Sequence, residues 1–495
     1  MLDELKRNAS LTETENGAVT LSTSGSCCMD LFFRAGAMRH AGKSEIRRVV
    51  LRAAAEDLTA AMKILFFARD IRGGLGERSF FRTAMEVLAK TEPAAVERNI
   101  HLFPEYGRFD DLLVLLGTRC EKAAVDVLKT QLDEDIKAMA DGRNVSLLAK
   151  WLPSVNTSSA ASRQSGKKLA KLFGMTEKQY RQTLSGLRRY IDIIENRLRE
   201  SDYSFDYSSQ PSRAMLKYRK AFIRNDEERY CEFISQAAEG KVKLHADTLY
   251  PYDIVRPVLI SAYGDREDIP EAERAALNAS WLSLPSYGAD GRNALAVVDC
   301  SGSMYGEIGN SNLRAIDVSV SLGIYFAEHN TGEFAGHFIS FSEKPELVRV
   351  KGRDIAEKAL YCSTYNDPAN TDIEAVFNLI LDTAVRSAMP QSEMPEILYI
   401  ISDMEFDYCA DGGDDMTMFE EMRQLYRVNG YELPQIVFWC VDSRHDNFPV
   451  SISDTGVALM SGASPSLFDM VMSGETTPLE IMNNIINSER YAAVR

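Results

Sequence analysis

The sequence predicts a protein of two unlike parts, a helical first half and an α/β second half. Before residue 290, apolar residues recur at helical spacing and strand-like alternation is scarce. Beyond that point, short apolar runs alternate with helical stretches, which is typical of a parallel sheet covered by helices on both faces. The apolar runs lie at 294–298, 334–341, 396–402 and 435–441, and the helical stretches at 312–329, 371–387 and 415–427.

Long amphipathic segments account for much of the first half. Residues 45–70 carry Val50, Leu58 and Leu65 at helical spacing, which predicts one long helix, and 121–140 show the same pattern. The connections between predicted helices are short and contain Gly, Pro or Asn. Stacked helix pairs, in which each pair buries its apolar stripe against the next, suit this arrangement.

These patterns divide the chain into four segments. Residues 1–28 form a polar N-terminal segment and 29–250 a helical domain. The stretch 251–291 contains four prolines and is interpreted as the connection between the domains. Residues 292–495 form the α/β domain.

Composition limits the class of protein. A chain of 495 residues with 45% hydrophobic content can bury large cores, and it contains no unbroken apolar run of the roughly 18 residues that a membrane span needs. Its N-terminus is polar and lacks the apolar core of a signal peptide. Eight scattered cysteines without a Cys-x-x-Cys pair indicate reduced thiols. We therefore expect a cytoplasmic protein with no membrane partner, and the six dispersed histidines argue against a zinc site.

Charge is distributed unevenly along the chain. Residues 291–495 hold 13 Lys+Arg and 31 Asp+Glu, a net charge of −18 within a whole-chain net of −16, so the first half is near neutral at +2. The acidic half is a poor surface for nucleic acid and favours cations. No DNA partner is predicted.

The most informative motif lies where the first predicted strand of the second half ends. The apolar run at 294–298 is followed by Asp299, Ser301 and Ser303, with a glycine that allows a tight turn. Hard oxygen ligands of this kind suit magnesium or manganese. The alternative is that these side chains only cap the next helix.

This motif resembles Asp-x-Ser-x-Ser, the metal-ion-dependent adhesion site (MIDAS) of von Willebrand A domains. Those domains have a Rossmann-like fold. The family adds a threonine from a later loop and an aspartate from a later strand end, and Thr371 and Asp403 stand in the matching positions. The resemblance implies a site of Asp299, Ser301, Ser303, Thr371 and Asp403 that binds Mg²⁺ or Mn²⁺. It also implies that an acidic residue of a protein partner fills an open position on the metal, so that binding, not turnover, is the output.

A helical half before such a domain resembles the TROVE-like family related to the Ro autoantigen, in which a ring of HEAT-like helices is closed by a von Willebrand A domain. The closer resemblance is to a poorly characterised branch found in bacteria, phages and plants. The motifs that carry it lie at 72–78 (RGGLGER), 106–112 (YGRFDDL), 150–153 (KWLP), 250–253 (YPYD), 299–304 (DCSGSM) and 402–406 (SDMEF). The resemblance implies an RNA-binding scaffold, with single-stranded or small structured RNA as partner.

Two basic segments, each with tyrosines, provide candidate RNA contacts, since cations pair with phosphates and aromatic rings stack on bases. The alternative is a solvated helix face whose cations pair with acids elsewhere. The candidates are Arg163, Lys167, Lys168, Lys171, Lys178, Arg181, Arg188, Arg189, Arg213, Lys217, Arg219 and Lys220.

Two functional hypotheses remain. No Ser/His/Asp, Cys/His or zinc constellation is apparent, and the glycine-rich 72–78 lacks the phosphate-loop pattern, so an enzyme is not predicted. The first hypothesis is a non-catalytic RNA-binding scaffold of the Ro type with a metal-dependent docking site. The second is a MIDAS-dependent protein scaffold without an RNA role, in a defence- or phage-linked setting.

Overall fold

The computed structural model describes residues 10–39, 41–191, 193–263, 269–287, 293–308, 313–331, 333–341, 344–365, 372–406, 418–443, 445–470 and 477–495. It confirms the predicted fold class, a helical first half followed by an α/β second half. Before the first helix, Leu11–Glu13 (β1) and Val19–Leu21 (β2) pair as an antiparallel hairpin.

The first half is built from helices that pack on their sequence neighbours. The helices are Cys27–Ala35 (α1), Lys43–Glu56 (α2), Leu58–Arg69 (α3), Arg78–Thr91 (α4), Pro93–Asn99 (α5), Phe103–Tyr106 (α6), Glu121–Ala140 (α7), Leu148–Trp151 (α8), Ala160–Leu172 (α9), Glu177–Tyr190 (α10), Ile194–Arg199 (α11), Ser212–Asn225 (α12), Glu227–Ala238 (α13), Pro251–Tyr263 (α14) and Glu271–Leu282 (α15).

The prediction of one helix over 45–70 is wrong, because the helix is interrupted at Asp57. This residue is extended (φ −150°, ψ 106°), and its side chain accepts a hydrogen bond from the backbone N–H of Ala60. An aspartate that satisfies an N-terminal N–H in this way begins a new helix. Apolar periodicity runs through 45–70 because α2 and α3 both turn an apolar face to the core.

The stretch 251–291, interpreted as a connection, contributes the two helices α14 and α15. Pro251 is the first residue of α14 and Pro270 immediately precedes α15. Proline is favoured at a helix start, where its missing N–H has no intrahelical partner to lose. Both helices pack against the second half of the chain.

The second half is a six-stranded sheet with the order β5-β4-β3-β6-β7-β8. All pairs are parallel except that of β4 with β5. The strands are Ala294–Asp299 (β3), His337–Phe341 (β4), Glu346–Arg349 (β5), Ile397–Ser402 (β6), Gln435–Cys440 (β7) and Val457–Ser461 (β8), and the helices are Ala315–His329 (α16), Ile355–Cys362 (α17), Ile373–Ser387 (α18), Met418–Val428 (α19), Leu467–Met470 (α20) and Pro478–Ile486 (α21).

The two halves share one hydrophobic core, which runs from Phe67 on α3 to Trp439 on β7. Gly36, just after α1, approaches the backbone of Ser461 so closely that a Cβ there would overlap it. At the C-terminus, Arg490 binds the fully buried carboxylate of Asp70, and the Tyr491 hydroxyl donates to the same carboxylate at 3.1 Å. The glycine-rich loop after α3 therefore receives the end of the chain.

No helix within the described ranges is both long and apolar enough to cross a membrane.

Candidate metal centre and a cation–aromatic circuit

Asp299 is the last residue of β3, a strand buried along its whole length. Its side chain is fully buried. Oδ1 accepts a hydrogen bond from the Ser301 N–H at 2.9 Å, and Oδ2 accepts one from the Ser402 hydroxyl at 2.5 Å. The carboxylate is therefore fixed between its own loop and the neighbouring strand β6.

The two motif serines lie beside each other in the loop that follows. Their hydroxyl oxygens are 3.0 Å apart, with Ser301 buried and Ser303 half-buried. A short 3-10 turn over Gly302–Tyr305 brings the second serine back toward the first. The two hydroxyls therefore lie together just beyond the carboxyl end of β3.

Asp403 directly follows β6, which pairs with β3 in parallel, so the two aspartates meet at one edge of the sheet. It is 3% exposed, and its Oδ1 accepts the Glu405 N–H at 3.3 Å. Met404, which lies between Asp403 and Glu405 in the chain, adopts a left-handed backbone with φ of 68°. Such a conformation costs a non-glycine residue on the order of 1–3 kcal/mol and persists only where the surroundings hold it, often at functional sites.

Ser402 is a residue that the sequence analysis missed. Its hydroxyl donates to Asp299 and accepts the Met404 N–H at 3.0 Å. It therefore orients one predicted ligand and supports the strained turn beside the other. Its place at the end of a buried strand, next to Asp403, was the available signal.

Electrostatics favour a cation at this edge. Burial, reinforced by the nearby Asp403 carboxylate, raises the pKa of Asp299 above its ordinary value. A divalent ion would stabilise both carboxylates in their charged form. The donors are carboxylate and hydroxyl oxygens only, which fits Mg²⁺ or Mn²⁺. Of the five predicted ligands, Asp299, Ser301, Ser303 and Asp403 lie together, and Thr371 falls outside the described residues.

The predicted RNA-contacting cations differ in how far they are engaged within the protein. Arg188 donates to the backbone oxygens of Ala149 and Leu152, and Arg219, 12% exposed, pairs with Glu273 at 2.6 Å. Three of the predicted lysines pair with acids: Lys167 with Glu177, Lys168 with Glu121 and Lys220 with Glu273. Arg163 donates to the backbone oxygens of Thr157 and Ser158.

The remaining cations of α9 and α10 are exposed. Among the described residues, no carboxylate lies at ion-pairing distance from Lys171, Lys178, Arg181 or Arg189. This helix pair and α12 pack on different neighbours: α10 lies against α7 and α8, whereas α12 lies against α13 and α15. Arg213 and Lys217 of α12 belong instead to a second arrangement.

This second arrangement joins cations and aromatic rings from four of the sequence motifs. The Arg213 guanidinium lies 5.4 Å from the centroid of the Tyr250 ring. That ring stacks on the Tyr252 ring, with 5.5 Å between the two centroids. Arg39 lies over the Tyr252 ring, donates to the Tyr252 hydroxyl at 2.9 Å and pairs with the buried Glu77. The next residue, Arg78, begins α4 and is exposed.

The same arrangement includes residues around α8 and a second cation of α12. Although the side chain is exposed overall, partial desolvation of its guanidinium, followed by the nearby Arg108 and Arg82, lowers the pKa of Arg78. Arg108 lies 3.8 Å over the half-buried Trp151 ring, beside Lys150, which pairs with Glu195 at 3.2 Å. The Tyr218 hydroxyl, with a smaller contribution from Glu195, raises the pKa of Lys217, one helical turn after Arg213.

Ring contacts join Arg39, Arg108, Lys150 and Arg213 to these aromatic side chains, with Arg78 and Lys217 nearby in sequence, and we call this set the cation–aromatic circuit. Its members are Arg39, Arg78, Arg108, Lys150, Trp151, Arg213, Lys217, Tyr250 and Tyr252. Within the described part of the chain, Arg78 has no carboxylate at ion-pairing distance. Only Arg213 and Lys217 were among the predicted RNA-binding residues, because the others come from segments of mixed charge.

Comparison with known proteins follows the same division of the chain. One family model, "Domain of unknown function (DUF2828)", matches residues 14–132 and 156–285, and a second, "Domain of unknown function (DUF7788)", matches 293–491. The uncharacterized protein L728 of Acanthamoeba polyphaga mimivirus is 28% identical, over 97% of this chain and 87% of its own length. The crystal structure of the Deinococcus radiodurans RO (RSR) protein is similar over 94% of this chain and all of that chain, at 13% identity and a TM-score of 0.49. The predicted resemblance to a poorly characterised family is confirmed: the chain belongs to the DUF2828 family.

Proposed function

We propose that this protein is a non-catalytic scaffold whose second half binds a divalent cation and, through it, an acidic residue of a protein partner. The observation that carries the proposal is the meeting of Asp299, Ser301, Ser303 and Asp403 at the carboxyl edge of two adjacent parallel strands. Ligands of parallel sheets bind at this edge. Mg²⁺ and Mn²⁺ are the cations that suit the oxygen donors.

Each residue has a distinct part in this binding. Asp299 and Asp403 supply two negative charges, which balance those of a divalent cation, and the serine hydroxyls supply neutral oxygen ligands. Ser402 holds Asp299 in place. A bound divalent ion would provide a Lewis-acidic position for an additional anionic oxygen, and we assign that position to a partner's carboxylate.

Calorimetric titration with Mg²⁺ and Mn²⁺ tests the cation site. Asp299→Ala should weaken binding at least a hundredfold, because it removes a central charged donor. Asp382→Ala is the matched control, since Asp382 is an exposed aspartate of the same half whose ion pair is with Arg386. Unchanged affinity in Asp299→Ala would refute the site.

Acetate tests the docking step, because its carboxylate stands in for that of a partner. Acetate should displace water from Mn²⁺ bound to the wild-type protein and lower the water-proton relaxation rate. A relaxation rate that does not respond to acetate would contradict an open position for an anionic oxygen, even if the cation binds.

A second candidate function is single-stranded RNA binding by the helical half. The cation–aromatic circuit favours it, because guanidinium groups pair with phosphates while Trp151, Tyr250 and Tyr252 offer rings for base stacking. The exposed Lys171, Lys178, Arg181 and Arg189 would extend the same surface chemistry to α9 and α10.

Fluorescence anisotropy with a labelled oligouridine tests this candidate. Arg78→Ala should weaken binding several-fold, because Arg78 is exposed and forms no ion pair with a carboxylate of the described residues. Arg386→Ala removes an exposed cation from the acidic half and serves as control. Chelation of divalent ions should leave RNA affinity unchanged, since the two sites use different surfaces. Loss of RNA binding on chelation would show that the cation holds a phosphate instead.

A further inference from the structure

The N-terminal hairpin reaches across the chain to the loop that carries Asp403. In the turn between β1 and β2, the Thr14 hydroxyl donates to the Phe406 oxygen at 2.6 Å. The Asn16 side chain donates to the Glu405 backbone oxygen at 2.8 Å, and the Glu15 N–H donates to the Glu405 carboxylate at 2.8 Å. Three consecutive hairpin residues therefore hold two consecutive residues of this loop.

The hairpin is itself anchored to the second half. Leu21 and Phe448 exchange backbone hydrogen bonds in both directions, at 3.0 and 2.9 Å. The Thr20 hydroxyl also donates to the Phe448 oxygen at 3.0 Å. The turn is thus also held through its own strand, in addition to its bonds with the Asp403 loop.

Glu405 is the centre of this contact. Its carboxylate, 1% exposed, accepts Asn447 Nδ2 at 2.9 Å on both oxygens and lies 2.9 Å from His445 Nδ1. With the Glu15 N–H, the carboxylate is bound from the hairpin on one side and from 445–447 on the other. A side chain held by this many donors is fixed in place.

The same residue also touches the candidate ligand. The backbone N–H of Glu405 donates to Asp403 Oδ1 at 3.3 Å, and the turn between them depends on the left-handed Met404. Groups that hydrogen-bond to a ligating carboxylate set its orientation and so its affinity for metal. Fixing Glu405 therefore fixes the direction in which Asp403 presents its oxygens.

We infer that the N-terminal hairpin is a positioning element of the cation site, acting on Asp403 through Glu405. This inference rests on the proposed cation site. Hairpin residues do not touch the cation; they hold the loop in the shape that binds it. By linkage, cation binding and hairpin docking must then strengthen each other to the same degree.

Two variants test this positioning, and the second does so without changing the charge near the cation. Glu405→Gln replaces the carboxylate with a group of the same shape that accepts on one side only, and Asn16→Ala removes one hairpin contact without changing charge. Loss of such supporting contacts typically weakens metal affinity about 10–100-fold. We expect this range for Glu405→Gln and a smaller loss, about 3–10-fold, for the single contact of Asn16→Ala. Glu13→Gln, which removes an exposed hairpin carboxylate, should bind Mn²⁺ as the wild type does.

Amide exchange provides a readout that a purely structural role would not change. Mn²⁺ should slow exchange of residues 11–21 in the wild-type protein and have no effect there in Asp299→Ala. Mn²⁺ affinities of Glu405→Gln and Asn16→Ala within twofold of wild type, with binding lost in Asp299→Ala, would overturn the positioning role and leave the cation site standing. Wild-type affinity in Asp299→Ala would overturn both.

Discussion

Replacing Asp299 by asparagine should stabilise the metal-free protein while removing its response to magnesium. The carboxylate is fully buried, and no cation of the described residues pairs with it. Burial, together with Asp403, therefore disfavours its charged form and raises its pKa. Asparagine has nearly the same shape and can keep the hydrogen bond from Ser301 without the buried charge.

The size of the effect follows from two opposing contributions. Burying a carboxylate without a compensating cation costs several kcal/mol, and each pKa unit of upward shift corresponds to about 1.4 kcal/mol. The hydrogen bond from the Ser402 hydroxyl, worth about 1 kcal/mol, is lost or reversed in the variant. We expect a net gain of about 1–3 kcal/mol in the free energy of unfolding.

Guanidinium denaturation, with EDTA and then with excess Mg²⁺, measures this prediction. Magnesium at a hundredfold excess over its dissociation constant should raise the free energy of unfolding of the wild-type protein by about 2.7 kcal/mol and leave that of the variant unchanged. The difference in free energy of unfolding between Asp299→Asn and the wild type should therefore shrink or change sign when Mg²⁺ replaces EDTA. Asp382→Asn, at an exposed position, should respond to Mg²⁺ as the wild type does. An Asp299→Asn protein that is less stable than wild type in EDTA, or that gains equally from Mg²⁺, would refute the reasoning.

Three further predictions concern the rest of the chain. Arg490→Ala should lower the free energy of unfolding by about 2–3 kcal/mol, because it strips a partner from the buried carboxylate of Asp70; adding Asp70→Asn should recover part of that loss in the same denaturation assay, and a purely additive double variant would argue against the pairing. Gly36→Ala should cost about 3 kcal/mol, because its Cβ overlaps the backbone at Ser461, whereas Gly186→Ala, in an open helical position, should stabilise by about 0.5–1 kcal/mol; equal midpoints for the two would contradict the close approach. RNA affinity should fall steeply with salt, and Arg78→Ala should reduce the slope of log affinity against log salt by about one; an unchanged slope would remove Arg78 from the interface.

The fold could be predicted from sequence because each half has a consistent local period. Helical spacing before residue 290 and short buried runs after it each report which face of an element meets the core. The break at Asp57 was missed, since periodicity continues through it and only the side-chain cap on Ala60 reveals the interruption.

The metal motif could also be predicted from the sequence, because Asp299, Ser301 and Ser303 are close neighbours along the chain and Asp403 directly follows a recognisable strand. The contact between the N-terminal hairpin and the loop that carries Asp403 could not be predicted, since Thr14 and Phe406 are 392 positions apart and their contact has no local signal. Pairings of this kind depend on how the whole chain folds.

The basic surface illustrates a different limit. Counting cations along 163–224 measures charge density but not exposure, and Arg188 and Arg219 turned out to bind groups inside the protein. The cation–aromatic circuit drew instead on isolated residues such as Arg39 and Trp151, which the fold brings together.

Anomalous diffraction from crystals grown with Mn²⁺ tests the central claim most directly. The account predicts one strong manganese peak at the carboxyl edge of β3 and β6, about 2.0–2.3 Å from oxygens of Asp299, Ser301, Ser303 and Asp403, with a position open to solvent or to a bound carboxylate. A crystal in which this edge shows no anomalous peak at saturating Mn²⁺, or in which the manganese lies elsewhere on the protein, would contradict it.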